Sequence, residues 1–172
     1  MSLRNPVSDT DHSQGNPEAR LVLVEYGDYQ CPHCGRAYPL VKKTQEALGS
    51  QLKFVFRNFP LTQVHPQAML AAAASEAAAL QGKFWEMHDL LFENQRNLAR
   101  TAIHRYAEQL KLDIKLFDNV IDDPETEKNI EVQFYSGMRS GVNATPTFFL
   151  NGEIITESWE GEGLLNFIRK SI

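Results

Sequence analysis

The chain has 172 residues, a formal net charge of −5, 42% hydrophobic residues and 23% charged residues. That length suits one domain, or one domain with a sizeable insertion, and the hydrophobic share is ample for a packed core. The acidic balance argues against nucleic acid as a partner, since phosphate binding needs clustered positive charge, and no apolar run approaches the roughly 20 residues of a membrane span.

Residues 1–18 are polar and rich in turn formers, and read as an extended arm ahead of a domain over 19–172. Met1–His12 has no apolar signal segment. The expected compartment is therefore cytoplasmic, or periplasmic or otherwise extracytoplasmic if a signal has been trimmed away. A continuous apolar run at about Leu21–Tyr26 suits a strand covered on both faces. A helix is expected over Pro32–Leu48, ending at Gly49. In Leu52–Asn58, Leu52, Phe54 and Phe56 alternate with Lys53, Val55 and Arg57, as in a second strand, and Arg57 reads as an exposed charge. Strand, helix, strand at this spacing is a βαβ unit, parallel with a right-handed crossover.

The middle is helical, and residues 62–123 read as one all-helical insertion. Pro66–Gln81 is Ala-rich and stops at Gly82. Phe84–Phe92 gathers Phe84, Trp85, Met87, His88, Leu91 and Phe92, which read as insertion core. Ile103, Tyr106, Ala107 and Leu110 recur at helical spacing. Asp113 suits the N-cap of Ile114–Ile121. Asp123-Pro124-Glu125 reads as N-cap, first-turn proline and acid of a long helix over 124–140 that links back to the core. In it Ile130, Phe134 and Met138 form a core-facing row. Thr147–Leu150 and Glu153–Thr156 read as a hairpin around Asn151-Gly152, a strong type I′ signal, and Gly161–Ile172 as a closing amphipathic helix.

Two stretches carry chemistry. Cys31-Pro32-His33-Cys34 holds both cysteines of the chain at a strand-to-helix junction. Unpaired N–H groups and the positive end of the helix dipole favour a thiolate there, and such sites can lower a cysteine pKa to about 3.5–7.5. Cys31 is the candidate nucleophile, and Cys34, one turn on, the resolving thiol. Pro32 suits the first helical turn. His33, when protonated, adds positive charge, so His33→Ala is expected to lower the reduction potential. The second stretch is Thr145-Pro146. Local sequence favours an ordinary trans proline starting a strand, cis being about 5–6% of X–Pro bonds. A cis bond would instead expose the Thr145 backbone for pairing with an extended peptide.

The run from Leu23 to Cys34 resembles the active-site strand and helix start of the DsbA-family thiol-disulfide oxidoreductases. The resemblance covers nearly the whole chain and implies an α/β, thioredoxin-like fold (βαβ…ββα) with an all-helical insertion between the second strand and the Thr-Pro strand. It implies that Cys31 is the nucleophile, that Cys34 resolves the mixed disulfide and that Pro146 is cis and faces the motif. It places Glu25 at an acidic position, six before the first cysteine, that many members share. There, buried below Cys34, it would carry the resolving cysteine's proton; by its own sequence, without the resemblance, it reads first as a solvated strand-end carboxylate. Asn5–His12 is similar to the signal-less bacterial members.

The expected function is exchange of a Cys31–Cys34 disulfide with protein or peptide thiols through a mixed disulfide, as a DsbA-like oxidant, with no cofactor beyond that redox pair. Thr145 and Pro146 form the expected substrate wall, an unidentified partner recycles the site, and a monomer is expected. A reductase or isomerase in a reducing cytosol is the main alternative. A zinc module lacks a second ligand pair of suitable spacing, with His65 and His88 reading as ordinary surface or core histidines. A redox-inactive peptide binder fits poorly with an intact C-x-x-C. Asp118–Asp123 lacks the spacing and glycine of an EF-hand.

Overall fold

The computed structural model describes all 172 residues, Met1–Ile172. Five strands form one mixed sheet: β1 (His12–Gly15), β2 (Leu21–Gly27), β3 (Leu52–Asn58), β4 (Thr147–Leu150) and β5 (Glu153–Ile154), in the order β1-β3-β2-β4-β5. β2 and β3 are parallel, with Leu21 opposite Leu52 and Gly27 opposite Asn58. β1, β4 and β5 pair antiparallel to their neighbours. Seven helices accompany the sheet: α1 (Pro32–Leu48), α2 (Ala68–Ala79), α3 (Phe84–Glu93), α4 (Arg100–Gln109), α5 (Ile114–Ile121), α6 (Pro124–Arg139) and α7 (Gly163–Lys170).

The alternation of the central strands divides the core into two layers. Leu21, Leu23, Leu52, Phe54, Phe56, Phe148 and Leu150 join Ala37 and Val41 of α1, Leu164 and Ile168 of α7, and the apolar faces of α2–α4. Val24, Tyr26, Val55 and Phe149 face the opposite layer, with Phe59, Val142 and Phe134 of α6. Glu25 shares the parity of Leu21 and Leu23, so the strand itself aims a carboxylate into the layer that holds α1. The two parallel strands end together, and the α1 start sits at that end.

Local signals account for many boundaries. Asp113 accepts the Leu116 N–H and Asp123 the Glu125 N–H, as N-caps do. Asn151 and Gly152 both have positive φ (49° and 87°), which the type I′ turn requires. Gly82 has φ +73°, and the Lys83 N–H reaches back to the Ala78 carbonyl to close α2. The return strand and closing helix are shorter than the sequence suggests, at Glu153–Ile154 and Gly163–Lys170.

Three expectations are corrected. The arm is not merely extended. Its residues 12–15 form β1 on the outer edge of β3, while Ser2 bridges to Glu153 and the Leu3 N–H binds the Gly152 carbonyl at the other edge. One segment thus covers both edges of the sheet, which would otherwise present unpaired backbone. Arg57 is not exposed; it is buried because the arm lies over it. Its guanidinium binds both Asp11 carboxylate oxygens (2.7 and 2.9 Å), the Asn5 and Pro6 carbonyls and the Tyr26 hydroxyl. Met138 does not complete the core row of α6, being 52% exposed. Gly137 takes that place, where an added Cβ would lie 2.8–2.9 Å from the Phe59 and Tyr26 rings.

Candidate active site

Cys31 is the N-cap residue of α1, with extended backbone (φ −68°, ψ 122°), and Pro32 is the first helical residue. The turn that delivers it is built by Asp28. The Asp28 carboxylate is buried and accepts the Gln30 N–H (2.8 Å), an Asx-type turn, and the Leu61 N–H (2.9 Å). His65 Nδ1 lies 2.7 Å from the same carboxylate, and the Asp28 N–H points at Cys34 Sγ at 3.5 Å. A further anchor is Gln30, whose side chain accepts the Gln67 N–H (2.7 Å). One aspartate thus ties the end of β2, the motif and the loop before α2 together.

The two thiols sit in different surroundings. Cys31 is 3% exposed and Cys34 fully buried. The Cys31 thiol closes no cap hydrogen bond of its own and reaches the Thr145 carbonyl at 3.6 Å. Its pKa is drawn down to about 5, first by hydrogen bonding from Cys34. The Thr145 side chain and the Cys34 and His33 backbone N–H groups add to this, against the opposing effect of burial. Those N–H groups are the ones an N-cap acceptor normally takes. Cys34 is pushed well above the ordinary thiol value, first by burial and then by its hydrogen bond to Cys31 and the Glu25 charge.

Glu25 is 2% exposed, between Phe56 and Phe148 on the neighbouring strands, and its Oε1 has no hydrogen-bond partner. Burial, with the Cys31 charge second, raises its pKa to about 8. The solvated-carboxylate alternative therefore does not hold. Pro32 and His33 are exposed. The Arg36 guanidinium lies 2.7 Å from His33 Nδ1, so the fixed positive charge beside the motif is Arg36. Thr145 is buried, Pro146 half-buried, and the bond between them is cis.

The structure thus brings Glu25, Cys31, Cys34 and Thr145 together, and leaves Pro32 and His33 on the rim. Two residues of the site have no place in the sequence-based expectations: Asp28, and Gln95, whose side-chain amide donates to the Tyr29 and Cys31 carbonyls. An Asp two residues before Gln30 is a recognisable Asx-turn signal; Gln95, 64 positions past Cys31, gives none. His88 is a core histidine. Its Nδ1 lies 2.9 Å from the Tyr29 hydroxyl among Phe56, Phe84, Trp85 and Phe92, and burial holds its pKa well below the ordinary value. No group of three or more His, Cys, Asp or Glu side chains is placed to hold a metal ion, and no helix is long and apolar enough to cross a membrane.

Comparison with known proteins agrees with this geometry. A family model described as Thioredoxin matches residues 7–170. The chain is 28% identical to a thioredoxin-like oxidoreductase from Silicibacter pomeroyi, covering 86% of this chain and 84% of that one with a TM-score of 0.77. It shares its fold, at 21% identity and a TM-score of 0.79, with the thiol-disulfide exchange protein α-DsbA2 from Wolbachia pipientis, over 94% of this chain and 85% of that one. Among curated relatives it is 45% identical over 153 residues to the Na(+)/H(+) antiporter NhaA 3 of Salinispora tropica, a match to 88% of this chain and 23% of that protein. The chain spans about a quarter of the length of the curated relatives it matches. It belongs to the thioredoxin family, with the thioredoxin-like α/β fold of the DsbA-type thiol-disulfide oxidoreductases.

Proposed function

We propose that this domain is a dithiol oxidant that transfers the Cys31–Cys34 disulfide to protein thiols. The observation that carries the reading is the asymmetry of the pair: a sulfur at a helix N-cap whose pKa lies near 5, beside a buried one held well above the usual value. A stabilised Cys31 thiolate favours the dithiol form, so the disulfide form gives up its bond more readily.

The steps follow from that asymmetry. A substrate thiolate attacks Cys31 Sγ of the disulfide. The Cys31–Cys34 bond breaks, and Cys34 leaves as a thiolate that its burial disfavours. Glu25, whose burial favours its protonated form, supplies the proton. A second substrate thiolate then attacks the substrate sulfur of the mixed disulfide. Cys31 leaves as its stable anion, the substrate has lost two electrons, and the site holds them as thiolate and thiol. Cys31 carries no charge in either the closed or the mixed disulfide, so in both burial alone raises Glu25, whereas in the dithiol the Cys31 anion adds to it. Glu25 therefore ionises more easily in the mixed disulfide than in the dithiol, when a base for Cys34 is needed to return the mixed disulfide to the closed form. Thr145, whose carbonyl faces Cys31, and Pro146 supply the wall against which an extended substrate chain lies.

Removing the resolving thiol tests the reading. Cys34→Ala protein treated with a model peptide disulfide should exchange at Cys31, release one peptide thiol and hold the other peptide as a stable adduct that reductant releases. Cys31→Ala should form none. Equal adduct yield from the two variants contradicts the assignment of Cys31 as the exchanging sulfur.

A further inference from the structure

Gln95 lies just beyond α3 and is half-buried. Its side-chain amide nitrogen donates to two carbonyls at once, Tyr29 at 2.8 Å and Cys31 at 2.9 Å. These two flank Gln30 in the turn that brings Cys31 to the helix. The Cys31 carbonyl is also the first acceptor of α1, taking the Gly35 N–H at 3.1 Å. A single amide from the helical insertion therefore grips the capping residue of the helix on which the thiolate depends.

Gly35, directly after the motif, bears the mark of that grip. Alanine is the better helix former, and Gly35 has no positive φ that would call for glycine. A Cβ there would lie 1.9 Å from Gln95 Oε1 and 2.6 Å from its Cδ. The glycine leaves the space that the amide fills. Only a side chain with an N–H pair can serve two carbonyls in this way, and the carboxylate of glutamate would repel both.

We propose that Gln95 is a positioning residue of the redox centre: by holding the Tyr29 and Cys31 carbonyls it sets the Cys31 sulfur on the N–H groups of α1 and against Thr145. The helical insertion then takes part in the chemistry instead of only covering the sheet. The proposal rests on the redox reading of the motif.

The test titrates the Cys31 thiolate by its ultraviolet absorbance in the dithiol protein, beside a thermal melt. Gln95→Met keeps the length and removes the donors. It should raise the titration midpoint by about one pH unit, a roughly tenfold loss of thiolate below that midpoint. Gly35→Ala leaves every polar group in place but pushes the amide aside, and should raise the midpoint likewise; it also serves where Gln95→Met is too unstable to titrate. The double variant should shift no further than Gln95→Met alone, because both changes remove one interaction. A lowered melting temperature with the wild-type midpoint in both single variants makes Gln95 a structural tether only and overturns the proposal. A wild-type protein that forms no Cys31–Cys34 disulfide instead removes the redox reading itself, and the proposal with it.

Discussion

Cys31 Sγ lies 3.6 Å from the carbonyl oxygen of Thr145, a contact between the start of α1 and a residue 114 positions later. The buried Thr145 hydroxyl has no hydrogen-bond partner, which leaves it free to donate to the Cys31 anion that it favours. Thr145→Val keeps the shape and removes the hydroxyl. The Cys31 titration should move up from about 5 by about one pH unit, the scale of one hydrogen bond to a charged group. The reduction potential should fall with it. Absorbance titration and equilibration with a thiol buffer measure the two, and an unchanged midpoint removes Thr145 from the account.

Glu25 and Cys31 exchange a proton between the folded and unfolded states. In the folded dithiol they titrate at about 8 and about 5; their ordinary values are 4.5 and 9.0. Between pH 5 and 8 the folded site keeps its proton on Glu25 and the unfolded chain keeps one on Cys31. The proton counts match, so these two groups leave stability flat across that window. Cys34, raised in the fold, changes the count only at higher pH. Glu25→Gln removes one side of the balance. The folded dithiol then binds fewer protons than the unfolded chain, so stability should rise with pH above about 5, by up to about 1.4 kcal/mol per pH unit. Denaturant unfolding under reductant at several pH values reads this directly; parallel profiles for wild type and variant contradict it.

Arg57 pins the N-terminal arm. It is 5% exposed, and Asp11 is nearly as covered. Arg57→Met leaves the Asp11 carboxylate without its partner and should cost about 3 kcal/mol, read as a lower denaturant midpoint. The Cys31–Cys34 potential should stay at the wild-type value, because Arg57 faces the opposite layer of the sheet. A loss below about 1 kcal/mol, the range of exposed pairs, would show that the arm is held by its backbone pairing alone.

The burial of Arg57 also marks where sequence reading stopped. Features set by neighbours a few residues away were legible: the span of α1, the Asn151-Gly152 turn, the Asp113 and Asp123 caps. The alternation of β3 is equally visible, but a period of two says only that there are two faces, not what covers each. The cover on Arg57 comes from a segment over 40 residues earlier. Counting four from Phe134 places Met138 in the core. The close approach of α6 to Phe59 and Tyr26 leaves room only for Gly137, a distance that no periodicity carries. At the active site the motif and Thr145-Pro146 stood out because cysteine and proline are few and chemically particular. Asp28 and Gln95 act through backbone atoms of the motif, and a hydrogen bond to backbone leaves little trace in the residue type of its partner.

The reduction potential of the Cys31–Cys34 pair, measured by equilibration with glutathione buffers at neutral pH, tests the central claim most directly. A stabilised Cys31 thiolate and a buried, protonated Cys34 predict an oxidising value, between about −180 and −120 mV. A value near −270 mV or below would make the site a reductant under cellular glutathione and contradict the assignment.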